Sequence, residues 1–270
     1  MHLLAQLIAA PHGATGRILH LTLNRPELRN AMSQAMVAEL HDALRKAEQA
    51  GDVRAIVLRG AGGHFCAGAD LKDMASARAT AASDPERAIA EHNARFGELC
   101  AAFGRTGIAV IAVVEGAVMG GGFGLACVAD VVIAADSARF RLPETSLGML
   151  PAQIAPFLVE RLGYSEARRL AVTGGTLDAA GALAQRLVHA VHAPDALDAA
   201  VQEVLTQVLR CAPQAVAATK ALVARARWQP AEHLVPEAAA AFARAATGPE
   251  GTEGIAAFLQ GRAPSWAPRP

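Results

Sequence analysis

Two glycine-rich turns carry residues that could do chemistry: His64-Phe65-Cys66-Ala67-Gly68-Ala69-Asp70 and Val118-Met119-Gly120-Gly121-Gly122-Phe123-Gly124. Each follows a short apolar run that reads as a strand. Small residues let a backbone come close to a ligand, and the first N–H groups of a helix have no partner within it. Two such donors aimed at one point form an oxyanion hole. No phosphate-loop or nucleophile motif accompanies them: GK[ST] does not follow Gly120, and GxGxxG with a later acidic residue, GxSxG and HExxH are all absent. An oxyanion hole without a nucleophile suits an enolate drawn from a thioester, and that chemistry needs a carboxylate to move a proton at the alpha or neighbouring carbon. Glu144 is the candidate, at the end of Phe140-Arg141-Leu142-Pro143-Glu144 and ahead of Ser146-Leu147-Gly148. The competing reading is a solvated loop glutamate.

The elements that must hold these groups follow from apolar spacing. Arg17 to Leu23 alternates at period two and stops at Asn24-Arg25-Pro26, a strand running into a turn. Ser33 caps a helix in which Met36, Val37, Leu40, Leu44 and Ala47 recur until Gly51. Ala55 to Arg59, Ala109 to Val114 and Val131 to Ala134 read as buried strands, and Met1 to Ala10 as an N-terminal one. Lys72 to Ala82 has no clear periodicity and reads as a flap or a plain surface loop. Ser83-Asp84-Pro85-Glu86 reads as a capping box opening a helix through Phe96, Leu99 and Phe103. Beyond Pro194 strands give way to amphipathic helices over 195–210, 213–227 and 230–246, which sets a boundary between residues 1–198 and 199–270. A helical tail that cannot cover its own apolar faces packs on the fold or on another subunit. Residues 263–270 read as a frayed end.

Composition narrows the partners. The chain has 270 residues, 53% of them apolar, with 25 basic against 25 acidic side chains, so no net field draws it to nucleic acid or an acidic membrane. Aromatic residues make up 4%, too few for a base-stacking platform. Cys66, Cys100, Cys127 and Cys211 are widely spaced, which speaks against a zinc site or a disulfide framework and for reduced, mostly buried thiols. No basic leader precedes the apolar start and no apolar run is long enough to cross a membrane, so the expected compartment is the cytoplasm.

Asn24-Arg25-Pro26 with Asn30-Ala31, the CAGAD turn, the GGG turn, Ala129-Asp130, Phe140 to Glu144, Leu147-Gly148, and Glu253 to Phe258 with Arg262 occur in that order over nearly the whole chain. Together they resemble the enoyl-CoA hydratase/isomerase (crotonase) superfamily. The resemblance implies an α/β fold, a spiral of repeated ββα units with a C-terminal helical trimerisation region. It implies a homotrimer or a dimer of trimers acting on an acyl-CoA thioester, with CoA as part of the substrate and no metal or redox cofactor. Carried over by position, it makes the Ala67 and Gly121 N–H groups the oxyanion donors. Gly68, Ala69, Asp70 and Gly120 then line the substrate turns, and Leu28 and Arg29 fall where the family grips CoA. Arg29 also reads as an ordinary surface arginine.

Two departures shape the expected reaction. Typical hydratases of the superfamily carry two glutamates; here the first position is Gly124, and only Glu144 remains. One carboxylate suffices to shuttle a proton between two carbons, as in single-glutamate enoyl-CoA isomerases, and a one-glutamate hydratase needs another group to hold the water. Leu150 to Phe157 replaces the glycine-rich stretch of many members and, with Asn30 to Ser33, resembles a subgroup acting on branched glutaconyl-type CoA esters, including isohexenylglutaconyl-CoA hydratases. Gln153 in this segment either orients a water or a substrate carboxylate, or only begins a helix. The subgroup resemblance tips the expectation toward hydration of a 2-enoyl-CoA. Isomerisation and a catalytically silent acyl-CoA-binding protein are the alternatives.

Overall fold

The antiparallel pair β1 (Leu3–Ala9) and β2 (Arg17–Leu23) opens the main sheet, with Leu3 opposite Leu23. Residues 1–80 and 84–269 are described in the computed structural model. Ser33 caps α1 (Gln34–Ala50), its hydroxyl accepting from the Met36 N–H at 3.2 Å. Next comes β3 (Val53–Gly60), parallel to β2. Then α2 (Leu71–Thr80) and α3 (Pro85–Arg105) lead to β4 (Ala109–Val114), beside β3. The Lys72–Ala82 stretch is therefore helical through Thr80, not a plain loop, and its Ala81 and Ala82 lie outside the described residues. Its Ala and Met content supports a helix even without a strong apolar face. Of the expected capping box, Ser83 lies outside the described residues. Asp84 caps α3, accepting from the Arg87 N–H at 3.0 Å.

The chain then repeats a pattern of long strand, short strand and helix. β4 is followed by β5 (Ala117–Met119) and α4 (Gly121–Val128). After β6 (Val131–Ala135) and β7 (Arg139–Arg141) comes a 3-10 turn, Glu144–Leu147, and then α5 (Ala155–Thr173). β8 (Thr176–Asp178), α6 (Ala179–Ala184) and β9 (Ala190–His192) complete the spiral. Long strands build one sheet in the order β1-β2-β3-β4-β6-β9, and short strands build a second, β5-β7-β8. Cys66 joins the second sheet through a parallel bridge to Val118, which marks the short strand of the first repeat.

Both faces of the main sheet are covered at its centre, so β4 and β6 are apolar throughout. Alternate residues point to opposite sides. Ile56, Leu58, Val110, Ala112 and Val114 pack toward α1 and α3, while Ala55, Val57, Ala109, Ile111 and Val113 pack toward α7 (Leu197–Arg210). Leu197, Ala200, Val201, Leu205 and Leu209 of α7 belong to that second core. The expected boundary after residue 198 thus falls inside a core helix.

α8 (Pro213–Ala226), α9 (Ala231–Thr247) and α10 (Pro249–Leu259) follow. They contribute only Leu234 and Ala257 to the buried apolar residues described. The end of the chain is not frayed through Arg269. Trp266 Nε1 donates to the Arg210 carbonyl at 3.1 Å, the Arg269 N–H donates to His12, and Ala267 is buried. Apolar Trp266 and Ala267 give this proline-rich tail something to bury. No helix of the described residues is long and apolar enough to cross a membrane.

Candidate active site

The second sheet brings the chemistry together. Cys66, through its parallel bridge, lies abreast of Val118, which pairs with Phe140 on the adjacent parallel strand. Just beyond them come Ala69, Gly121 and Glu144, all lining one cleft. Gly68 has φ +101° and Gly120 has φ +49°, conformations that favour glycine. The two turns also touch: a Cβ on Gly68 would lie 3.3 Å from the Met119 carbonyl, and one on Gly120 would lie 3.6 Å from Gly68 Cα and 2.9 Å from Glu144 Oε1. The carboxylate therefore stands directly over the glycine turns.

Which N–H groups are free follows from the hydrogen bonds. Ala67 N–H donates to the Arg29 carbonyl at 2.9 Å, so the expectation that Ala67 supplies a donor to ligand is corrected. Gly68 N–H points at Cys66 Sγ at 3.4 Å. Ala69 forms a parallel bridge with Met32, in which the Gly68 carbonyl and Asp70 N–H bond to Met32. In such a bridge the Ala69 N–H faces the other way. It makes no hydrogen bond to a described residue, and neither does the N–H of Gly121 at the uncapped start of α4. Ala69 and Gly121 thus each offer an open donor, one on each turn, and the positive end of the α4 dipole adds to the second.

A polar scaffold holds the first turn. Asn30 is fully buried; its Nδ2 donates to the Ala61 and His64 carbonyls at 2.8 and 2.7 Å, and its Oδ1 accepts from the Arg25 N–H at 2.9 Å. Asp70 pairs with Arg25 at 2.8 Å and accepts from the Lys72 N–H at 3.0 Å. Burial raises its pKa, but Arg25 and the Lys72 and Asp73 N–H groups outweigh burial and keep it below the usual carboxylate range. Asp70 does not line the cleft, contrary to expectation, because its carboxylate is occupied in fixing the turn. Leu28 and Arg29 are exposed on the Asn-Arg-Pro turn outside the cleft, and only the Arg29 carbonyl reaches the glycine turn. Behind both turns, burial pushes the Cys66 thiol up to about 12, so it is an inert packing group.

Glu144 is half-buried, and its Oε2 is shielded from solvent without a hydrogen-bond partner. Burial raises its pKa, partly opposed by its own backbone N–H. An unpartnered buried carboxylate oxygen beside open donors is the mark of a group kept for a reacting proton. Among the described residues no cluster of three or more His, Cys, Asp or Glu is placed to hold a metal.

The model of the enoyl-CoA hydratase/isomerase family matches residues 13–269. The chain belongs to that family. AtuE of Pseudomonas aeruginosa, a solved member-like structure, superposes with a TM-score of 0.93 at 50% identity, covering 99% of this chain and 100% of its own. The "Probable enoyl-CoA hydratase echA8" of Mycobacterium leprae is 36% identical over 94% of this chain and 95% of its length. The 2,3-dehydroadipyl-CoA hydratase of Escherichia coli is 31% identical over 94% and 96%. The fold is accordingly the crotonase fold expected from the motifs, and the protein is an enoyl-CoA hydratase or isomerase acting on acyl-CoA thioesters.

Within this family member, Gly124, expected among the substrate-binding residues, does not line the cleft. It is buried in α4, and a Cβ there would overlap Ile154 Cγ2 and lie 3.7 Å from Phe96. Ile154 occupies the space above Gly124, so a side chain at that position has no room. Gly124→Ala should cost about 1–3 kcal/mol of stability through overpacking. Ile154→Ala in the same chain should recover most of it, a coupling that a urea-denaturation double-mutant cycle measures. Sequence reasoning missed Ile154, Phe96, Met32 and Met149 as cleft residues. They come from separate segments, and only Ile154 and its neighbours had a local signal, the replaced glycine-rich stretch.

Proposed function

We propose that the protein hydrates a 2-enoyl-CoA, with Glu144 as its single acid-base group. The observation that carries this reading is the buried, unpartnered Glu144 Oε2 above two open backbone donors. The Ala69 and Gly121 N–H groups receive the thioester oxygen. As the water oxygen bonds to C3, the C2–C3 π pair moves toward C1 and the thioester oxygen becomes an enolate, which the donors stabilise; each is worth on the order of 3 kcal/mol at developing charge. Glu144 takes the water proton and then delivers it to C2, so both new bonds form on the face where the carboxylate stands. Leu28 and Arg29 at the outer turn suit the CoA moiety, Arg29 offering a planar donor set to a phosphate. Hydratase names among the relatives, including those for mevalonyl-CoA and 2,3-dehydroadipyl-CoA, support hydration over isomerisation.

The C-terminal helices suit a trimer. Phe242, Phe258 and Leu259 are 76%, 83% and 78% exposed, a large apolar cost for a lone chain.

A paired assay tests the reaction. With a 2-enoyl-CoA, absorbance of the conjugated thioester should fall as a 3-hydroxyacyl-CoA forms. Conversion of a 3-enoyl-CoA to the 2-enoyl isomer without water addition would establish an isomerase instead. Tight binding with neither reaction would establish a silent binder.

A further inference from the structure

Among the polar side chains of the cleft used neither by the fold nor by the steps above, Gln153 is the one that comes from segment 150–157. Gln153 lines the cleft with Glu144, yet its carboxamide makes no hydrogen bond to a described residue. Its seat is specific: the amide rests against Gly97 of α3, where a Cβ would overlap Gln153 Oε1. The adjacent Ile154 fills the space above Gly124. The only polar group this segment offers to the cleft therefore stands next to the position that the fold has closed to a carboxylate.

We propose that Gln153 positions the attacking water, an inference that rests on the hydratase reading. With Oε1 seated on Gly97, Nε2 donates to one lone pair of the water. Glu144 accepts one water proton and the second lone pair is left for C3. The other O–H of the water remains in the product hydroxyl. The amide takes no proton, so one carboxylate still closes the proton balance: from water to Glu144, then from Glu144 to C2. Gln153 thus acts through orientation, and loss of orientation alone costs on the order of 10²-fold in rate.

The test separates water addition from proton transfer at carbon. Exchange of the C2 protons of a saturated acyl-CoA in D2O needs Glu144 and the oxyanion donors but no attacking water. Gln153→Leu should lower kcat for 2-enoyl-CoA hydration by about 10–100-fold, with KM and C2 exchange kept within about three-fold. Gly97→Ala, which keeps the glutamine but displaces its amide, should show the same selective loss. Hydration and exchange falling in step, or hydration unaffected in Gln153→Leu, would overturn the inference alone. A wild-type enzyme that exchanges C2 protons but adds water to no 2-enoyl-CoA would overturn the hydratase reading and this inference with it.

Discussion

Glu144→Gln is expected to lower kcat by about 10³-fold or more while leaving acyl-CoA affinity nearly unchanged. Glutamine keeps the shape of the side chain but can neither accept the water proton nor return it to C2. The donors at Ala69 and Gly121 are untouched, so calorimetric titration with a product CoA ester should give a Kd close to that of the wild type. Turnover undiminished in this variant would remove the mechanism. Because burial raises the Glu144 pKa, and because the carboxylate must be ionised to accept a proton, hydration should fall on its acid side at a pH above the ordinary glutamate range. Stability has the opposite sign. A carboxyl whose folded pKa is raised binds its proton more tightly in the native state, so its ionised form destabilises the fold above the unfolded pKa. Glu144→Gln should therefore raise Tm at pH 8, with the gain vanishing as the pH drops below the ordinary glutamate pKa.

The second large effect is expected at Gly121, where a pair of variants separates the donor from the space around it. Gly121→Pro removes the N–H at the first position of α4, where proline is compatible with a helix. It should lower kcat by about 10²–10³-fold, the usual cost of one oxyanion donor. Gly121→Ala keeps the N–H and adds a Cβ about 3.1 Å from Phe96, so it reports crowding alone. If alanine costs as much as proline, the effect belongs to Phe96 and not to hydrogen bonding.

The long strands were legible as apolar runs and two of the turns by their glycines, both local signals, whereas the spiral of repeated units followed only from the resemblance. Glu144 was a candidate from its proline-closed strand end, but that local signal fitted a solvated loop glutamate as well, and only the resemblance singled it out. The assignment of Ala67 as a donor failed on a long-range fact, the Arg29 carbonyl that accepts its N–H at 2.9 Å. Arg29 stands in a left-handed turn whose next residue, Asn30, is tied to the Ala61 and His64 carbonyls of a distant segment, and nothing next to Ala67 in sequence announces it. Asp70 was misplaced in the same way, since its partner Arg25 arrives from another segment. The boundary near residue 198 failed because periodicity identifies α7 as a helix without saying which surface it covers. The tail ending in Arg269 looked polar and short, and what ties it down lies far off in sequence: the Arg210 carbonyl that accepts from Trp266 and the His12 carbonyl that accepts from the Arg269 N–H.

The bridge of Cys66 to Val118 and the pairing of Val118 with Phe140 have a consequence for how such a site can change. Ala69, Gly121 and Glu144 each follow one of these three abreast residues, so the strand spacing of about 4.8 Å underlies how far apart the donors and the proton acceptor are placed. The sheet works as a ruler, and the loops merely mark it. A residue at one mark can be exchanged for another chemistry while the remaining two keep their places.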